Sequence, residues 1–473
     1  MAETEIDELA PEAAPPEEGD ELDEENRLKG EFVRAVVEAL EAHDEGRAYE
    51  LVEPLHPADI ADLFELLDHD ERTGLAKAIT DLLTPEVIAE LNDYVREDMI
   101  EALPHAAVAD IAEQLDTDDA VQLLEDLEPE DQRAILAEME PEDRAAIESA
   151  LAYPEETAGR LMQREFVAVP EHMTVGGLID YLREHEELPT EFWEVFVVDA
   201  LHKPVGTCAL SWVLRTPRAV ALADVMKRDQ TLIPVTMDQE EVALRFQKYA
   251  LVSAAVVDDE NRLVGMITVD DIVHIIQEEA GEDVLLLAGV GDEGDINEPV
   301  PLTVRRRLFW LVINLGTAIV AASVVSLFQG EIGKYAVLAV LMPIVAGMGG
   351  NAGTQTLAVA VRALATNQLT ESNTIRAFAR ELKIALANGL SLGVLIGAGV
   401  ALVFGNPLLG AVIAAAMVIN NLAAGLGGIL VPVTLDRAGV DPAVSSAVFV
   451  TTITDVTGFF SFLGLAAAVG LGR

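Results

Sequence analysis

Hydrophobic and polar positions follow three different rhythms along this 473-residue chain. From about 29 to 155 apolar side chains return at spacings of three and four, as in Ile60-Ala61-Asp62-Leu63-Phe64-Glu65-Leu66-Leu67, which is the period of an amphipathic helix. Helix starts fall on Pro or Asp: His56-Pro57-Ala58-Asp59, Thr84-Pro85-Glu86, Leu103-Pro104-His105, Glu128-Pro129-Glu130-Asp131 and Glu140-Pro141-Glu142-Asp143. Strand signals are nearly absent there, and short helices stacking on their neighbours predict a helical solenoid. Between about 156 and 283 the sequence repeats itself. Leu161-Met162 with Val169-Pro170 and Met173 returns 64 residues later as Val225-Met226 with Ile233-Pro234 and Met237. Val197-Val198-Asp199 with Val205-Gly206 returns 59 residues later as Val256-Val257-Asp258 with Val264-Gly265, so both copies predict strand, helix, strand, turn, strand, helix. Beyond about 300 the rhythm gives way to apolar runs. Five are long enough to span a bilayer: about 308–328, 335–363, 382–404, 408–433 and 443–471.

These rhythms divide the chain into an acidic tail over 1–28, a helical N domain over 29–155, repeats over 156–221 and 222–283, a linking segment over 284–307, and a transmembrane domain over 308–473. The tail is Glu, Asp, Pro and Ala with almost no large apolar side chains, a composition that predicts disorder. Met1 to Glu25 has no apolar h-region, so no signal peptide is expected and the N-terminus is placed in the cytoplasm. Arg305-Arg306-Arg307 precede span one, Arg376, Arg380 and Lys383 are read between spans two and three, and Arg437 between spans four and five. The positive-inside rule makes these three places cytoplasmic and the C-terminus external, in the cytoplasmic (inner) membrane with lipid as its surroundings.

Charge separates the halves as sharply as hydropathy does. Residues 1–300 hold 76 of the 82 acids and 20 of the 30 bases, a net −56, and the remainder is +4. Such a field repels nucleic acid and attracts cations, and both salt adaptation and divalent-cation sensing fit it. The single Cys208 cannot close an intrachain disulfide, and eight scattered His offer no zinc tetrad. A literal GxGxxG at Gly289, Gly291 and Gly294 follows no strand and carries Asp292, Glu293 and Asp295. It is read as a flexible linker rather than a phosphate loop. No Walker A motif, pump signature or Ser, His, Asp arrangement points to an enzyme.

Asp455 is the one carboxylate inside the apolar runs, in Thr451-Thr452-Ile453-Thr454-Asp455-Val456-Thr457-Gly458. An ionised group at bilayer depth is costly and ordinarily faces a bundle interior or water path, where it holds a cation or proton; a protonated Asp bonding a neighbouring helix is the plainer alternative. Span two carries Pro343-Ile344-Val345-Ala346-Gly347-Met348-Gly349-Gly350-Asn351-Ala352-Gly353-Thr354-Gln355, four glycines and three polar residues. Helix propensity predicts a break there, with carbonyls lining a path, against the alternative of close packing through small residues. Asn351 and Gln355 favour the path. Asn420-Asn421 in span four add polar atoms either to the path or to helix contacts. One carboxylate with oxygen donors suits a hard cation; Mg2+ keeps several waters and needs one or two carboxylates, which two Asp455 residues of a dimer would supply. Sodium or proton coupling fits the same acid.

The duplicated unit resembles a tandem CBS-domain pair, a regulatory module that binds adenine nucleotides or metal ions. Thr268-Val269-Asp270-Asp271 matches that family's ribose-binding pattern, which implies Asp271 as a nucleotide contact and ATP as an optional modulator; Ala209-Leu210-Ser211-Trp212 in the first copy lacks the acid. Beyond residue 28 the whole chain resembles the MgtE family of magnesium channels, most specifically at Pro343 to Gln355 with Arg362-Ala363-Leu364-Ala365-Thr366, and at Thr454 to Gly458. The resemblance implies a multidomain fold: an α-helical superhelical N domain, an α/β tandem CBS pair, a linking helix and a five-helix all-α transmembrane domain. It implies a homodimer in which Asp455 of both subunits holds hydrated Mg2+, helped by backbone oxygens at Gly347, Gly350 and Thr451 beside Asn351, Thr354 and Gln355. Thr354 stands where the family often has Asn. It further implies regulatory Mg2+ at Glu86, Asp118, Asp238, Glu240, Asp271, Glu279, Glu282 and Asp283, with His274 and Ala250 replacing two of the family's acids. The expected function is a Mg2+-selective channel that imports the ion and is gated shut by cytosolic Mg2+. A Na+- or H+-coupled secondary transporter of Mg2+, Co2+ or Mn2+ is the runner-up, and a membrane-anchored nucleotide sensor the third reading.

Overall fold

The computed structural model describes residues 21–471, apart from 102, 126, 186–187, 190–191, 292–293, 295–297, 371 and 445. The chain divides into two compact units, Met1–Asp271 and Ile272–Arg473. It is a multidomain protein with a helical N domain, two α/β repeats and five long apolar helices.

In the first unit short helices follow one another from Gly30–Glu41 to Pro141–Leu151. Proline occupies the opening turn of Pro57–Leu66, Pro85–Ala89, Pro129–Glu138 and Pro141–Leu151, where its missing N–H costs nothing. Their apolar stripes merge into one core in which Phe64, Leu75, Ile88 and Leu124 are fully buried. Of the tail expected to be disordered over 1–28, residues 1–20 lie outside the described residues. Residues 21–28 depart from that expectation: Leu22 pairs with Leu28 in an isolated antiparallel bridge, and Leu28 rests on the helical core. Composition averaged over 28 residues hides two leucines spaced to meet across a turn.

Each α/β repeat forms a three-stranded sheet. The first orders β1 (Ala168–Pro170), β2 (Glu194–Val198) and β3 (Pro204–Ala209); the second orders β4 (Leu232–Pro234), β5 (Ser253–Val257) and β6 (Leu263–Thr268). In both the first pairing is parallel and the second antiparallel, with a register shift at Val197/Val198 in one and Val256/Val257 in the other. The 59-residue repeat therefore extends to an irregularity of the backbone. The copies are also interleaved: Lys227 N–H donates to Thr207 at 2.8 Å, and Gln163 N–H donates to Met266 at 2.9 Å. A Cβ at Gly206 would lie 2.8 Å from Met226 Sδ, and one at Gly265 would lie 2.7 Å from Met162 Sδ, so only glycine admits these methionines. Cys208 is buried in β3, and burial pushes its thiol up to about 11, leaving it inert.

A helix runs unbroken from Val269 to Ala288, past the boundary expected at 283, and ends where Gly289 and Gly291 adopt positive φ. The acidic positions 292, 293 and 295 of the glycine motif lie outside the described residues. The apolar helices follow as span one (Val300–Ser326), span two (Val337–Ala365), span three (Thr374–Phe404), span four (Pro407–Arg437) and span five (Ser446–Val469). Span three begins eight residues earlier than its apolar run, so Arg376, Arg380 and Lys383 sit on its first turns rather than in a loop. Spans three and four approach through Gly389, Gly393 and Gly397: a Cβ on Gly393 would lie 2.8 Å from the Ala414 carbonyl, and one on Gly397 would lie 2.7 Å from that of Gly410.

The expected break in span two is absent, since the helix is continuous with Pro343 inside it. Hydrocarbon makes every unsatisfied backbone group expensive, which outweighs the helix-propensity deficit of four glycines. Two of those glycines are packing surfaces. A Cβ at Gly349 would lie 2.0 Å from Asn420 Nδ2, and one at Gly353 would lie 2.5 Å from Val450.

Candidate metal-ion sites

Gly349 and Gly353 hold span two against spans four and five, which turns the next face of the helix outward. Gly347, Asn351 and Thr354 lie at i, i+4 and i+7 on that face, all exposed, with nothing within 4 Å of a Cβ built at Gly347. Gly350 is beside them, and a Cβ built there would lie 3.9 Å from Thr451 Cγ2 of span five. Asp455 is one turn on from Thr451, half-buried, with no hydrogen-bond or ion-pair partner among the described residues. The structure thus brings together Gly350 and Thr451, with Gly347, Asn351, Thr354 and Asp455 on the adjoining turns of the same two helices.

Some donor atoms there are already engaged. Thr354 Oγ1 donates to the carbonyls of Gly350 at 3.2 Å and Asn351 at 3.1 Å, and Thr454 Oγ1 donates to Thr451 O at 2.9 Å. Each of these carbonyls also lies in a continuous helix and accepts the N–H four residues on, so an approaching water would share a lone pair already engaged. Gln355 departs from the expected group: it lines a cavity bounded by spans two, three and four. Asn420 resolves toward helix contacts. It is fully buried, donates from Nδ2 to Val345 O at 2.8 Å, and fills the space left by Gly349 and Gly458. Asn421 points the other way, toward span three and the same cavity as Gln355.

In the first unit, Asp118 and Asp119 occupy the first turn of the helix Thr117–Glu125 and face Asp271. Burial, then the carboxylates of Asp271, Asp119 and Asp116, push Asp118 well above the usual carboxylate range; its Oδ1 is sealed from solvent without a partner. Burial, then Asp271, Asp116 and Glu90, raise Asp119 to about 6. Asp271 accepts from Thr268 Oγ1 at 2.6 Å and Thr268 N–H at 3.3 Å, so a ribose would share that carboxylate with Thr268. Other expected residues stand apart from this group. Glu86 is exposed on the first turn of Pro85–Ala89. Asp238 caps Gln239–Tyr249 by accepting from Glu240 N–H at 3.0 Å, with Glu240 half-buried on that first turn. His274 is exposed on the helix Val269–Ala288, and Ala250 closes Gln239–Tyr249 at φ 51°.

In the second unit Glu279, Glu282 and Asp283 share the helix that ends at Ala288. Burial and then the carboxylate of Asp441 raise the Asp283 pKa. One turn on from Glu282 and Asp283, Leu286 packs with Leu357 and Val361 of span two, Ala443, and Val450 of span five, the residue before Thr451. Among the described residues no three His, Cys, Asp or Glu side chains converge on a point that one ion could occupy. Asp116, Asp119 and Asp441 were not singled out from the sequence. Asp441 had a local signal, an acid just ahead of span five; the other two are ordinary acids in an acidic helix domain.

A family model described as a divalent cation transporter, MgtE, matches residues 342–465; one for the MgtE intracellular N domain matches 55–156, and one for the CBS domain matches 222–278. The chain is similar to magnesium transporters MgtE of Bacillus subtilis (30% identical), Enterococcus faecalis (34%) and Thermus thermophilus (35%), in each case over 68% of this chain and 71% of the relative. It is also similar to a crystal structure of the cytosolic domain of the Mg2+ channel MgtE in complex with ATP. That structure is 28% identical, with a TM-score of 0.48, over 51% of this chain and 99% of the other.

Proposed function

The chain belongs to the MgtE family of divalent cation transporters, and from that membership we propose that it is a Mg2+ channel of the cytoplasmic membrane, gated shut by cytosolic Mg2+. The single observation that carries conduction is the outward polar face of span two beside Asp455. Asn351, Thr354 and a partnerless carboxylate cannot face hydrocarbon without large cost, so they call for protein or water over them. A second copy of the chain, with Asp455 of each subunit near one axis, satisfies that need and supplies the two charges a hydrated Mg2+ requires. Backbone oxygens of Gly347, Gly350 and Thr451 would meet the ion's water shell.

Closure follows from the second group of carboxylates. Asp118, Asp119 and Asp271 repel one another inside the first unit, and so do Asp283 and Asp441 in the second. Mg2+ arriving at these acids removes the repulsion and favours the arrangement in which they are close. Leu286 ties the acid-bearing helix to Val450, one residue from Thr451, which gives ion occupancy a mechanical route to spans two and five. The N-terminus is cytoplasmic and the C-terminus external in this reading. Coupled transport keeps Asp455 as its argument and loses only the broken helix, because span two is continuous.

Flux through protein reconstituted in liposomes tests the proposal. Asp455→Ala is expected to abolish Mg2+ uptake while the protein still elutes as the wild-type oligomer; undiminished uptake would overturn it.

A further inference from the structure

We propose that the cavity between spans two, three and four is a second cation site, one for a small hard monovalent ion held by Glu381 and the amide oxygen of Asn421. The cavity measures about 210 Å3, room for an ion with several of its waters at roughly 30 Å3 each. Asn421 is 1% exposed and held against span three, where a Cβ on Gly389 would lie 3.2 Å from its own Cβ. Its Nδ2 donates to Met417 O at 2.9 Å, while its Oδ1 has no partner. A buried acceptor of that kind is uncompensated until a donor or cation reaches it from the cavity.

Glu381 provides the charge. Its side chain is 12% exposed and pairs with Arg380 at 3.4 Å; Arg380, whose own side chain is 72% exposed, also lines the cavity. Glu381 lies on the opening turns of span three, just ahead of its apolar run, and a carboxylate this buried is paired or holds a cation. Gln355, Thr356 and Asn388 complete a lining of oxygen donors with no imidazole or thiolate, which selects a hard ion. One carboxylate, already shared with a guanidinium, leaves too little negative charge for a divalent ion and enough for a monovalent one.

The site is separate from Asp455. Asn420 and Asn421 are neighbours on span four, yet Asn420 reaches span two at Val345 and abuts Gly458 of span five, while Asn421 faces span three. The inference therefore stands without the conduction reading.

Direct binding of 22Na+ to the full chain in detergent, measured by scintillation proximity in chelator with choline chloride holding ionic strength constant, tests it. One saturable site per chain is expected. It should persist in Asp455→Asn and weaken at least tenfold in Glu381→Gln. Should Glu381→Gln not elute as the wild type does, Asn388→Ala decides, because its side chain is exposed; a threefold or greater loss is expected. Absence of saturable binding, binding that Asp455→Asn removes, or binding indifferent to these cavity variants would each overturn the proposal.

Discussion

Asp119→Asn should stabilise the helix Thr117–Glu125 when Mg2+ is withheld. Burial and the facing carboxylates raise Asp119 from 3.8 to about 6, roughly two units, which at about 1.36 kcal/mol each is on the order of 3 kcal/mol against the folded state once the group ionises. The sign follows from the direction of the shift. The folded state binds its proton more tightly, so the penalty is absent below the unfolded value of 3.8, grows as pH rises toward 6, and is complete above it. Asparagine keeps the shape and discards the charge. Hydrogen exchange over residues 117–125, read by mass spectrometry on the full chain in nanodiscs, reports the local opening free energy. In chelator at pH 7.5 the variant should exchange about tenfold to a hundredfold more slowly than wild type, and after correction for intrinsic rates that gap should narrow by pH 5. Added Mg2+ should protect wild type strongly and the variant little. Exchange in the variant as fast as wild type at pH 7.5 in chelator, or an undiminished Mg2+ effect, would refute the repulsion argument.

Gly349→Ala should fail to assemble, because its methyl falls 2.0 Å from Asn420 Nδ2, whereas Gly347→Ala should fold and elute normally; a monodisperse Gly349→Ala protein would contradict the packing. Ala250→Gly should raise urea stability by about 0.5–1 kcal/mol, since glycine carries no penalty at φ 51°, and a loss of stability would count against that backbone assignment. Asp441→Asn removes the charge facing Asp283 while keeping an oxygen for the Ala443 N–H, so patch-clamp currents should need more cytosolic Mg2+ to close, and unchanged inhibition would exclude Asp441 from sensing.

The repeats, the five spans and the isolation of Asp455 were legible because each leaves a period or a solitary charge in the sequence. Span limits were less so: an apolar run records the hydrocarbon, whereas the helix of span three continues into the interface, where Arg376, Arg380 and Lys383 extend toward water. Span two misled because intrinsic propensity assumes water as the alternative partner for the backbone. Half of its glycine signal was a contact surface for Asn420 and Val450, the other half an open face. The grouping of Asp116, Asp118, Asp119 and Asp271 was only half visible, since proximity of acids distant in sequence leaves no mark in a chain this acidic. Glu381 stands just ahead of an apolar run and Asn388 is a lone amide within it, so neither broke the apolar pattern.

The exchange of Met162 and Met226 across the two α/β repeats bears on what each repeat is worth alone. A single repeat would carry a notch, over Gly206 or Gly265, and a methionine shaped for the other's notch, complementary halves of one contact. Two free copies would close on each other about a two-fold axis, with a stability set by dilution. Joining them in one chain replaces dilution by the effective concentration of a short tether, so the pair stays closed at any protein level. Severing the chain near Pro217 should restore the dilution dependence, the molecular trace of a dimer made permanent by fusion.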